Sequence, residues 1–240
     1  MGAALPPIKG FLETSFVDWP GQVCAVVFLP GCNLRCRYCH NHELVLHPER
    51  LGDWNIDDIM ARLRKMRGWI DGVCITGGEP TLHLHLADLC RLFKREGFRV
   101  KLDTNGTRPR ILRDLLRSGL LDYVAMDIKA ALNERSYREL CGRPADIHAI
   151  RESIGLLKRS CIRSLDHEFR LTALPQFHSQ EVVCDLAWEL RGASRFTIQN
   201  FSSANPLDET LRAAAPFGQE ELEQLRWRVN SIVAGEAGHA

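Results

Sequence analysis

A chain of 240 residues with 45% hydrophobic and 25% charged residues has the make-up of an ordinary globular protein, and a formal net charge of +1 excludes the strongly basic footprint of a nucleic-acid or acidic-membrane binder. Nine cysteines, an odd number, in a chain whose opening MGAALPPIKG is no secretory leader argue against a disulfide framework and for a reducing, cytoplasmic setting. The longest apolar runs, such as residues 23–29, are too short to cross a bilayer, and Pro6 stands where a myristoylation signal at Gly2 would need Ser or Thr.

Taken in chain order, residues 23–29 form the first expected strand, followed by the run GCNLRCRYCHN. Asn55 then caps a helix whose core stripe is Ile56, Ile59, Met60 and Leu63. Asp57 and Asp58 suit its first turn, Lys65 and Arg67 its last, and Gly68 lies just beyond. Residues 73–76 form a second strand that ends in TGGEP, and residues 85–96 a second helix. A third strand, 99–104, runs into DTNG, a helix covers 109–118, and a fourth strand, 122–127, runs into MDIK. Helices over 147–159 and 180–190 alternate with strands over 168–174 and 195–200. The last helix, 220–233, repeats Leu222, Leu225, Val229 and Ile232 at helical spacing, and the tail 234–240 is expected to fray.

Strands alternating with helices imply right-handed βαβ units on a parallel sheet. Six such units favour an α/β fold built as a partial (β/α)6 barrel, with an open doubly wound sheet as the competitor. No linker composition or repeat breaks the chain, so one domain over 1–240 is expected, its core at about 20–205 and a C-terminal helix and tail at 218–240. Every unusual glycine or polar cluster falls just after a strand, where parallel α/β folds keep their chemistry.

Cys32, Cys36 and Cys39 form C-x3-C-x2-C. Three thiolates on one short loop can hold an iron–sulfur cluster and leave one iron open. Arg35 and Arg37 can offset the negative charge. A structural zinc site completed by His40 or His42 is the alternative, although no second cysteine pair accompanies the loop. The remaining cysteines, 24, 74, 90, 141, 161 and 184, are scattered and read as core thiols. Asp103 and Asn105 suit an Asx turn as well as a binding site. Asp127 and Lys129 alternate and so share a face, where a mutual or ligand-mediated pairing is expected. His83 and His85 read as satisfied histidines.

CNLRCRYC followed by TGGEP resembles the radical S-adenosylmethionine (SAM) enzymes. That resemblance implies a [4Fe-4S] cluster on Cys32, Cys36 and Cys39, with SAM chelating the fourth iron. It gives Gly77, Gly78 and Glu79 the methionine amine, and sets Tyr38 and the backbone at His40 beside the adenine. Over most of residues 9–210 the segments GFLETSFVDWPGQ, CRYCHN, LDTNG, AMDIKA, IQNF and LDETL resemble the activating enzymes of glycyl radical proteins, notably those of anaerobic ribonucleoside-triphosphate reductase. From this follow a SAM site completed by Asp103, Thr104, Asp127 and Lys129, a monovalent cation among them, and Arg170 and Asn200 facing the same cavity. It also implies a glycyl radical enzyme as protein substrate and a flavodoxin- or ferredoxin-type electron donor. Two other readings stay open: SAM radical chemistry on a small molecule such as a modified-base precursor, and a non-catalytic zinc or electron-transfer protein.

Overall fold

The structure, a computed structural model, describes residues 5–160, 162 and 165–235. Cys161, read above as a core thiol, and the tail beyond residue 235 lie outside the described residues. The strands are β1 (Gly10–Ser15), β2 (Cys24–Leu29), β3 (Gly72–Gly77), β4 (Arg99–Thr104), β5 (Tyr123–Asp127), β6 (Asp166–Ala173) and β7 (Phe196–Asn200). They form one unclosed α/β sheet in chain order. β1 is antiparallel to β2, while β2 with β3, β3 with β4, and β6 with β7 are parallel. The helices are α1 (His42–Leu46), α2 (Ile56–Lys65), α3 (Leu86–Arg95), α4 (Pro109–Arg117), α5 (Glu134–Cys141), α6 (Ile147–Lys158), α7 (Gln180–Glu189) and α8 (Gln219–Ala234).

The described residues group into two compact units. The first comprises Met1–Asn33, Asn41–Thr104 and Arg110–Val124. Its core is the inner sheet, with Ala25, Val27, Val73, Ile75, Val100 and Leu102 wholly buried, under the stripes Ile59–Leu63 of α2 and Leu89–Phe93 of α3. Each such aliphatic side chain contributes about 1.5–3 kcal/mol by leaving water. As its sequence predicts, α2 starts where the Asn55 side chain accepts the Asp57 N–H, with acids in the first turn and bases in the last.

The second unit comprises Leu34–His40, Asn105–Pro109 and Ala125–Ala240. Met126, Tyr137, Leu140, Phe169, Leu171 and Val183 are buried in it, and all four stripe residues of α8 are buried as expected. Asn105, not Asp103, makes the Asx turn, accepting from the Thr107 N–H and hydroxyl. Two elements go beyond the sequence reading. β1 is a half-exposed strand without a continuous apolar run. α5 shows only Tyr137, Leu140 and Cys141 to the core, capped by Asn133 and ended by Gly142 at φ 61°.

Candidate active site

In the first unit the tips of β2 and β3 stay zipped beyond the strands. Gly78 N–H donates to Leu29 O at 2.8 Å and Glu79 N–H to Gly31 O at 2.8 Å. Glycine is required twice here: Gly77 has φ 119°, and a Cβ on Gly78 would run into the Gly31 carbonyl. Asn41 donates its amide to Gly77 O at 3.1 Å. The zip fixes Gly31, the residue before Cys32, beside Glu79. The Glu79 carboxylate is 1% exposed, and one of its oxygens receives the Thr81 N–H, the Thr81 hydroxyl and, at 2.7 Å, the Thr104 hydroxyl. Glu79 caps the short turn Pro80–Leu82 and is at the same time a buried acceptor. On β4, Asp103 pairs with the buried Lys101 and accepts from Thr76 at 3.2 Å. His83 is satisfied by Pro30 O and His85 by Asp88, as expected.

In the second unit, residues 34–40 lie against the end of α5. Arg35 N–H donates to Cys141 O at 2.8 Å and Arg37 N–H to Leu140 O at 3.0 Å, using carbonyls that a helix end leaves unpaired. A hydrogen bond from Cys141 pulls the Cys36 thiol below its ordinary range, against the effect of burial. Burial is the main force that pushes the thiols of Cys24 and Cys90 up to about 12, helped at Cys24 by the Asp18 carboxylate, so these behave as inert core cysteines. The Arg37 guanidinium binds Asp208 at 2.6 Å and lies 5.2 Å from the Phe177 ring. Asp208 N–H also donates to Arg37 O at 2.8 Å, and His40 Nε2 donates to Ser202 O at 3.0 Å. Tyr38 is buried, its hydroxyl has no hydrogen-bond partner among the described residues, and Lys129 Nζ lies 6.0 Å from its ring centre.

Asp127 accepts from Lys129 Nζ at 3.0 Å and Arg170 Nε at 2.8 Å. Burial works against its ionisation, but Arg170 and then Lys129 outweigh it and hold the carboxyl well below the usual range. Lys129 is correspondingly held well above its own, burial being outweighed first by Asp127. The Lys129 backbone is gripped twice: its N–H donates to Tyr137 Oη at 3.2 Å and its carbonyl accepts from His178 Nε2 at 2.9 Å. Asn200 spends its amide on Phe217, donating to the carbonyl at 2.8 Å and accepting the N–H at 3.1 Å. It thus fastens a loop.

The chemistry of the donors suits a thiolate-held cluster with an amino-acid ligand: the first unit offers the Cys32 thiol and the buried Glu79 carboxylate, and the second offers Cys36, tipped toward thiolate, and Cys39. Among the described residues no three His, Cys, Asp or Glu side chains close on a single metal ion. Thr81, Lys101, Tyr137, His178 and Asp208 were not foreseen; only Lys101, two residues before Asp103 on a strand, left a signal, the same alternation as Asp127 and Lys129.

Residues 26–183 match the profile of the Radical SAM superfamily. The chain belongs to the radical SAM superfamily. It is 31% identical over 220 residues to a Methanocaldococcus jannaschii protein bearing the name glycyl-radical enzyme activating enzyme, a match that covers 91% of this chain and 89% of that one. Over 144 residues, 56% of each chain, it is 31% identical to the pyruvate formate-lyase 1-activating enzyme of Escherichia coli. The crystal structure of Streptococcus suis SuiB bound to precursor peptide SuiA has the same fold, with a TM-score of 0.67 at 16% identity over 88% of this chain and 46% of that one. As a radical SAM protein the chain is an enzyme, and the superfamily's cofactors are SAM and an iron–sulfur cluster.

Proposed function

We propose that this radical SAM enzyme activates a glycyl radical protein of the anaerobic ribonucleotide reductase type, holding a [4Fe-4S] cluster on Cys32, Cys36 and Cys39. The observation that carries the reading is the zip of Gly31 to Gly78 and Glu79, which sets a buried carboxylate beside the start of the cysteine loop. Glu79, with Gly77 and Gly78, receives the ammonium end of SAM. Tyr38 and the backbone at His40 take the adenine, and Asp103, Thr104, Asp127 and Lys129 orient the remainder. Arg170 keeps Asp127 charged. A cluster held there, once reduced by the external donor, would supply the one electron for reductive cleavage of SAM to methionine and a 5′-deoxyadenosyl radical, whose partner in hydrogen-atom transfer would be a glycine Cα of the protein substrate, giving 5′-deoxyadenosine. The protein's share is to fix the geometry and keep water out, in the reducing cytoplasm and with a small flavodoxin- or ferredoxin-type donor. No helix among the described residues is long and apolar enough to cross a membrane.

The test is anaerobic reconstitution with iron and sulfide, followed by SAM, a reductant and a candidate glycyl radical protein. The expected result is equimolar 5′-deoxyadenosine and methionine together with a glycine-centred radical signal in the partner. Cys36→Ala is expected to lose cluster absorbance and SAM cleavage together. Cleavage that yields a modified small molecule and no protein radical would move the enzyme to the small-molecule class. Tight zinc binding with no 5′-deoxyadenosine would end the reading altogether.

A further inference from the structure

On β4 the residues Lys101 and Asp103 lie two apart and so share a face of the sheet. Lys101 is 0% exposed. Its ammonium forms an ion pair with Asp103, lies 3.8 Å from Cys74 Sγ on β3 and 5.8 Å from the centre of the Tyr123 ring on β5. The other Asp103 oxygen accepts from Thr76, also on β3, at 3.2 Å. A lysine head group is rarely carried into a sheet's interior, because burying an ammonium is costly unless a counter-charge adjoins it. Here the counter-charge is the carboxylate at the strand tip, and β3 and β5 supply a thiol and an aromatic face around the same nitrogen. The pair matches one positive charge with one negative at contact distance. A metal cation brought to Asp103 would meet an ammonium already seated on its oxygen.

We propose that the Lys101 ammonium is the built-in counter-cation of Asp103, standing in place of a monovalent ion, and that it holds this carboxylate charged and oriented at the tip of β4. Lys101 is a positioning residue: it acts on SAM only through Asp103. The inference rests on the reading of Asp103 as part of the SAM site.

SAM affinity is measured by equilibrium binding to the reconstituted enzyme in potassium, sodium and choline chloride at one ionic strength. The wild type is expected to bind SAM equally in all three, and binding about tenfold weaker in choline than in potassium would overturn the proposal. Lys101→Met keeps the stem and removes the charge. It is expected to bind SAM poorly in choline and to recover about tenfold or more when potassium or sodium is added; no recovery overturns the proposal. Thermal unfolding of the metal-free proteins in the same salts gives a readout independent of SAM. There the Lys101→Met midpoint is expected to rise with potassium or sodium over choline, while the wild type stays level. If Lys101→Met leaves Asp103 too exposed electrostatically to fold, the neutral pair Lys101→Met with Asp103→Asn is expected to fold and to ignore the cation. A cation-responsive double variant would overturn the proposal. Should the wild type bind no SAM in any salt, the SAM reading fails, and the unfolding experiment still judges the counter-cation.

Discussion

Glu79 concentrates three donors on one carboxylate oxygen in a place almost without solvent. A hydrogen bond to a charged group contributes about 1.5–3 kcal/mol, and more is lost when a buried partner is left unmet. Thr104→Val removes one of the three at nearly constant volume. It is expected to lower stability by about 1–3 kcal/mol in urea denaturation and to weaken SAM binding, because the carboxylate is then free to turn. Glu79→Gln preserves shape and acceptors but not charge. It is expected to weaken SAM binding about tenfold or more with little change in melting temperature, as followed by equilibrium dialysis and calorimetry. Equal SAM affinity in Glu79→Gln and wild type would remove Glu79 from the binding site. Such a pattern separates the two threonines, which aim the carboxylate, from the carboxylate itself.

At the scale of elements, the zip between the β2 and β3 tips depends on the absence of two side chains. Gly78→Ala puts a methyl against the Gly31 backbone, where no flexible side chain can yield. The expected cost is about 1–3 kcal/mol, together with loss of iron after reconstitution, read by iron analysis and thermal unfolding. A second fastening joins the end of β5 to the end of β6. His178 accepts the Leu174 N–H at Nδ1, 3.0 Å away, and donates from Nε2 to Lys129 O, which fixes its neutral form. Burial holds His178 below its ordinary value of 6.5. Below pH 6.5 the unfolded chain therefore binds a proton that the folded chain resists, and stability falls as pH falls. Urea titrations between pH 8 and pH 5 are expected to show this loss. His167 is also pulled down by burial and adds to it, so His178→Gln should flatten the slope without abolishing it.

The same scale explains what could be read from the chain in advance. Six strands were legible because parallel strands covered on both faces are continuous apolar runs. β1 was not, because only one edge of it pairs and its residues, Leu12 at 44% exposure among them, face water. α5 lacks a broad apolar stripe, yet Asn133 and Gly142 mark both of its ends, signals that were present and unused. Within the site, the cysteine spacing and the glycine pair betray chemistry locally. Thr81, His178 and Asp208 do not, because their meaning comes from partners that only the folded chain brings near.

For the whole molecule, binding is also stability. A ligand held only by the folded state at a hundred times its dissociation constant stabilises that state by about 2.7 kcal/mol, or about 5–10 °C in melting temperature for a chain of this size. The reconstituted enzyme is expected to show this rise with SAM and not with adenosine alone, measured anaerobically by scanning fluorimetry. An identical rise with adenosine would shift the recognition away from the methionine end.

The ion pair of Arg37 and Asp208 joins positions 171 apart, with Arg37 standing between two of the three thiols. During synthesis the cysteines leave the ribosome long before Asp208 exists, so the nascent chain cannot yet brace the cysteine loop. Bracing of the loop by this ion pair is consequently an event of the finished polypeptide, and a chain cut short before residue 208 is expected to emerge with its thiols intact but that brace missing.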